Sequence, residues 1–161
     1  MIVWWLSARR RARDLDGAGN RDGGARWNSG RGGGVVYTSL NVATCVLETY
    51  VHFGPALRAR LPQNLVLVAI DVPEDAGIVR IAREQIPADA DQPRPDGRSW
   101  YQQTGDAWLD GREALVLVAP SAVVPQELNA MLDPAHPRMP EVRIVEHEPF
   151  RFDPRLAVGL T

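Results

Sequence analysis

The apolar positions of this chain fall into short runs set apart by glycine- and proline-rich stretches. That pattern predicts a domain of short strands and few helices. Residues 2–6 (IVWWL) read as the first strand and residues 35–38 (VVYT), entered through Gly32-Gly33-Gly34, as the second. Ser39 offers an N-cap for a helix over about 40–53, stopped by Gly54-Pro55. On a 100° wheel Val42, Cys45, Val46, Thr49, Tyr50 and Phe53 share the side that should face the core. Glu48 lies off that stripe, which predicts solvent exposure, and His52 follows one turn later on its own side.

Residues 64–72 (NLVLVAIDV) are apolar on both faces, the mark of a central strand. Short strands are predicted over 78–81 and 114–119, the second delivering Ser121 at its end. Residues 85–99 carry Pro87, Pro93 and Pro95 among Asp89, Asp91 and Asp96, the make-up of an exposed loop or a lid over a site. A helix is expected over 100–109, with Trp100 and Trp108 as core anchors. Residues 126–132 read as a short helix, 133–137 as a turn, and 142–146 as a late strand before FRFDPRL closes the chain. There is no internal repeat and no composition break, so residues 1–161 read as one mixed α/β (α+β) domain.

Composition narrows the function classes. With 161 residues, 45% apolar and 24% charged, the chain has the make-up of a soluble domain with a real core. A net charge of −2 gives no global basicity to attract nucleic acid. All 18 basic residues are arginine, so Schiff-base and phosphate-loop lysine chemistry are excluded. The lone Cys45 excludes an intramolecular disulfide and a zinc site of several thiolates, and suits a reducing compartment. The start places its short apolar run before its basic residues, the reverse of a signal peptide, and no run nears the ~20 residues of a membrane span. A cytoplasmic protein is expected. Arg9, Arg10, Arg11 and Arg13 form a basic cluster without interleaved aromatics, which reads as a solvated face or an anion-facing loop.

Residues 23–53 hold the candidate chemistry: Arg26 on a glycine-rich turn, Tyr37 on a strand and Glu48 on a helix. With VLETYVHF, TGDAWL, APSAVVPQELNAMLDPAHP and FRFDPRL following GARWNSGRGGGVVYTS in order, the chain resembles the RES-domain family of bacterial toxins. The resemblance implies an ADP-ribosyltransferase-like core of short mixed strands with flanking helices. It implies action on NAD⁺ as substrate, with no cofactor and no metal. The expected reaction is cleavage of the nicotinamide–ribose bond, with water or phosphate as acceptor. The alternatives are transfer of ADP-ribose to a protein, or an attenuated protein that acts mainly by binding its antitoxin. The implied partner is an Xre-type helix-turn-helix antitoxin in a hetero-oligomeric complex, with DNA met only through that partner.

The resemblance places the catalytic set on Arg26, Tyr37, Glu48 and Ser121, and NAD⁺ contacts on Arg26, Tyr37, Asn28, Arg31 and Ser121. The residue types suit the task. An arginine fork pairs with pyrophosphate oxygens, and a carboxylate stabilises the oxocarbenium-like charge that grows on the ribose. An aromatic ring can stack on nicotinamide or fix the ribose through its hydroxyl. Ser121 can bond a phosphate or the nicotinamide amide. A Ser121–His–Asp153 triad is the competing reading, but PSAVV is not a nucleophile elbow. Asn129 and His136 also match family positions and are as readily structural. One departure stands out. The family commonly reads Trp-Arg-Leu where this chain has Trp4-Trp5-Leu6, and that arginine is implied in NAD⁺ binding. Its loss would cost ~1.5–3 kcal/mol, about ten- to a hundredfold in affinity, unless Arg9 or Arg10 compensates. A smaller departure is Leu132-Asp133 where the family has Asn before its DP-x-HP turn.

Overall fold

The computed structural model describes residues 1–157, so the last four residues of the expected 1–161 domain lie outside the described part. Seven strands form one sheet: β1 (Ile2–Ala8), β2 (Val36–Ser39), β3 (Leu65–Asp71), β4 (Ile78–Arg80), β5 (Val116–Pro120), β6 (Leu128–Leu132) and β7 (Arg143–Phe150). Their order is β4-β5-β6-β2-β1-β3-β7, and only β4 and β5 run parallel. Three helices flank the sheet: α1 (Val42–Val51), α2 (Pro55–Ala59) and α3 (Trp100–Gly111). None of the helices among the described residues is long and apolar enough to cross a membrane.

Three apolar clusters hold the layers together. One face of the sheet buries Val3, Val68, Ile70, Val116 and Leu132. The α1 stripe anticipated from the wheel packs Cys45, Val42, Val46, Tyr50 and Phe53 onto Leu6 and Leu67 of the other face. The third cluster joins α3 to the loop before β2 through Trp27, Tyr101, Trp108 and Leu109. Trp108 is its buried anchor and donates its ring N–H to the Ala114 carbonyl at 2.8 Å. Trp100 is only half-buried and meets Trp27 edge-on.

The structure corrects four local expectations. Residues 128–132 form β6, not a helix, because β5 and β2 each leave an edge that this run pairs from both sides. The α1 N-cap is Asn41, whose side chain accepts from the Thr44 amide at 2.8 Å. Ser39 is held in the β2 ladder, opposite Asn129, and cannot turn back to cap. β7 runs on to Phe150 because β3 offers partners along its whole length, Leu65 opposite Phe150. β3 itself lies one strand from the edge rather than at the centre, although six of its seven residues are buried.

Candidate functional site

A cleft of about 540 Å³ opens between α1, β1 and the turn before β2. Trp5, Arg26, Tyr37, Glu48, Thr49 and Asn129 line it, with Cys45 at its base and His52 at its rim. Its size is that of a small-molecule site. Arg26, Tyr37 and Glu48 therefore meet in one cavity although they come from a loop, a strand and a helix.

Glu48 is the most constrained of the three. It is half-buried, which corrects the exposed position its helical wheel implied: β6 closes over that flank. The Ser121 hydroxyl and the Asn129 side-chain amide each donate to its Oε1 at 2.6 Å. Ser39 donates to the other end of that Asn129 amide at 2.7 Å, which fixes its flip. Both donors thus act on one carboxylate oxygen, and no donor among the described residues is recorded on Oε2. Two short donors on one oxygen orient the group without consuming its second oxygen.

Ser121 has a different task from the one its position at a strand end implied. Its hydroxyl gives its proton to Glu48 and accepts from the Val123 and Val124 amides at 3.1 and 3.0 Å. It is 2% exposed, and its hydroxyl is committed to the Glu48 carboxylate. Among the described residues no histidine, neither His52 nor His136, bonds the Ser121 hydroxyl: it faces a carboxylate and two backbone amides, and His136 lines a separate hollow with Pro134 and Met139, which removes the triad reading.

Tyr37 presents its ring rather than its hydroxyl. The oxygen accepts from the Trp27 amide at 2.8 Å and donates to Asn28 Oδ1 at 3.0 Å. Asn28 is fully buried and spends its amide protons on the Asn20 and Gly33 carbonyls, both at 3.0 Å. It shapes the loop instead of lining the cleft. Arg31 is exposed and lies outside the cleft lining.

The loop that carries Arg26 is built onto α3. Buried Asp106 accepts from the Ser29 amide at 2.9 Å and its hydroxyl at 2.6 Å, and from Arg98 at 2.7 Å. Gln102 reaches the Ala25 carbonyl at 3.2 Å. Arg26 lies with its guanidinium carbon 3.8 Å from the centre of the Tyr101 ring. Asp91, from the proline-rich loop expected over 85–99, pairs with its Nη1 at 3.1 Å. That loop is pinned by the buried Ala90 and a 2.8 Å Arg94–Asp89 pair, so it stands as a fixed rim beside the cation.

Sequence reasoning missed Asp91, Asp106 and the role of Asn129. The two aspartates meet their partners 65 and 77 residues away, and no local pattern announces such pairs. The expectation that Arg9 or Arg10 stands in for the charge absent at Trp5 fails: both line a separate hollow on the other face of β3, beside Val66. Trp5 itself forms an uncharged aromatic wall of the cleft. Among the described residues no group of three potential metal ligands exists.

Burial moves two titrations upward. It pushes the Cys45 thiol from 9.0 up to about 12, with the Glu48 charge adding to the effect. It also raises the Tyr37 phenol above its usual 10.0. A group whose folded pKa is raised contributes stability that is complete below its unfolded value and disappears as pH rises through the folded one. The urea midpoint is therefore expected to hold up to about pH 9 and fall steadily above it, and Cys45→Ala should flatten the first part of that fall.

The profile described as the RES domain matches residues 3–153. The chain is 32% identical over 150 residues to the Prs ADP-ribosylating toxin of Sphingobium sp. (strain YBL2), covering 90% of this chain and 88% of that protein. It is 34% identical over 119 residues to Toxin Res of Photorhabdus laumondii, covering 73% and 71%. Among solved structures it is similar to the M. tuberculosis MbcT-MbcA toxin-antitoxin complex, with a TM-score of 0.69 and 18% identity over 92% of this chain and 83% of that one.

Proposed function

This chain belongs to the RES-domain toxin family, and from that premise we propose that it is the toxin of a toxin–antitoxin pair and degrades NAD⁺. The observation that carries the reading is Glu48: one carboxylate oxygen clamped by Ser121 and Asn129, the other without a recorded donor, inside an aromatic-walled cleft that also holds Arg26. In the reaction the C1′–N1 bond of the nicotinamide ribose breaks, and its electron pair neutralises the pyridinium nitrogen. Nicotinamide leaves as a neutral molecule, so no general acid is needed. Positive charge builds on the ribose and the Glu48 carboxylate stabilises it. Water or phosphate then bonds to C1′, and Glu48 takes the proton when the acceptor is water. Arg26 pairs with the pyrophosphate, which requires it to exchange Asp91 for a substrate oxygen. The ring of Tyr37 flanks the cationic ring before departure. An antitoxin, of the Xre type in this reading, is the partner that restrains the activity in the cytoplasm.

A second reading is ADP-ribosyl transfer to a protein, favoured by the name of the Sphingobium relative. Incubating the protein with adenine-labelled NAD⁺, phosphate and cell lysate separates the two. Label in free ADP-ribose or its 1-phosphate supports degradation, whereas label retained on a protein band supports transfer.

Trp5 sets the affinity in this account. Trp5→Arg is expected to lower the KM for NAD⁺ about tenfold or more, with kcat within about twofold. Initial-rate measurements check this. An unchanged KM would mean that the aromatic wall already does what the arginine does in relatives.

A further inference from the structure

None of the clustered arginines after β1 lines the cleft itself, and Arg11 alone adjoins it, in a hollow shared with Trp5 and Tyr37. Arg9–Arg11 form a single 3-10 turn, and Arg13 follows two positions later. The turn is fixed at both ends. The Arg9 amide bonds the Asn64 carbonyl at 2.9 Å, and the Asp14 amide bonds the Arg11 carbonyl at 2.9 Å. Between them Ala12 is 5% exposed and packs into the core. Four cations are thereby held together on a backbone that cannot spread them apart. Like charges so close destabilise the folded chain. The protein has 20 acids with which to relieve them. Yet none of the nine ion pairs among the described residues involves Arg9, Arg10, Arg11 or Arg13.

Three of these arginines, Arg9, Arg10 and Arg13, line a hollow of about 460 Å³. Its floor is apolar, from Val66 and Pro149, and His147 stands in its wall. Asp14 is the one acid in the lining. The hollow shares no lining residue with the cleft of Glu48. Guanidinium forks recognise phosphate oxygens in pairs, and several of them on a rigid turn match several phosphates. The apolar floor suits a flat base or a sugar, in a volume typical of small-molecule sites.

We propose that this hollow is a second binding site, separate from the NAD⁺ cleft, for a ligand that carries two or more phosphates, with a nucleoside triphosphate as its preferred form. Equilibrium dialysis of the full chain against ATP and against inorganic tripolyphosphate tests it. ATP is expected to bind saturably, and tripolyphosphate at the same site more weakly. If tripolyphosphate binds more tightly, the site stands and its source is inorganic. Arg9→Gln/Arg10→Gln/Arg13→Gln should weaken both tenfold or more, whereas Arg26→Ala in the cleft should leave both unchanged. His147→Glu, which keeps every arginine but sets a carboxylate in the wall, should also weaken both, and serves if the triple variant fails to fold. The proposal is overturned if neither probe binds saturably, if the folded variants bind as wild type does, or if Arg26→Ala alone abolishes binding. It is equally overturned if the arginines retain an oligonucleotide but neither small probe.

Discussion

Glu48→Gln is expected to reduce kcat for NAD⁺ cleavage by at least about a thousandfold while leaving the fold intact. The substitution keeps the shape of the side chain and keeps an oxygen that accepts from both Ser121 and Asn129, the two donors now at 2.6 Å. What disappears is the negative charge, and a neutral amide neither balances the charge on the ribose nor takes a proton from water. The thermal midpoint should stay within about 2 °C, since no buried partner is orphaned. NAD⁺ should still bind, because Arg26 and the aromatic walls are untouched. Ser121→Ala should fall between wild type and Glu48→Gln. It frees the carboxylate to rotate and orphans the Val123 and Val124 amides, so kcat drops about tenfold to a hundredfold with a smaller change in KM. Equal losses in kcat and stability would assign Ser121 a purely structural role.

Gly105→Ala should be the most damaging small change in the chain. Gly105 sits within α3 and faces the backbone of Trp27, and a methyl group there overlaps the Trp27 carbonyl oxygen. Backbone cannot swing aside as a long side chain can, so either α3 or the loop carrying Arg26 must move. The loop is held by Asp106, Gln102 and the edge-on contacts of Trp27 with Trp100 and Tyr101. Moving it breaks several of these at once. The helix-propensity gain of alanine over glycine, about 1 kcal/mol, is outweighed by overpacking, for a net loss of about 3 kcal/mol. The thermal midpoint should fall ~6–12 °C, and the folded fraction should lose NAD⁺ affinity because Arg26 is displaced. Gly111→Ala is the control. It lies at the end of the same helix with open space around it, so the midpoint should hold or rise slightly.

Much of the fold was readable in the sequence because strands such as β3 and β5 are continuous apolar runs, and α1 and α3 carry their own periodicity. β6 was not. Residues 126–132 mix helix formers with a short apolar run, and only the open edges of β2 and β5 decide for a strand. The cost of that misreading fell on the site. On a helix Asn129 has no fixed relation to Ser39, whereas on β6 it stands directly opposite and reaches Glu48. The exposed position expected for Glu48 was wrong for the same reason, since its wheel describes α1 alone. Arg26, Tyr37 and Glu48 could be named from residue type and resemblance. The anchors that aim them, Asp106 on the loop and Ser121 on the carboxylate, come from distant segments and had to be seen.

The most direct measurement follows nicotinamide release by NMR when purified wild-type protein and Glu48→Gln meet NAD⁺, each with and without phosphate. Stoichiometric conversion by wild type, to nicotinamide and ADP-ribose or its 1-phosphate, is expected, and essentially none by Glu48→Gln. Release at equal rates by both proteins, or by neither under any acceptor condition, would contradict the proposed function.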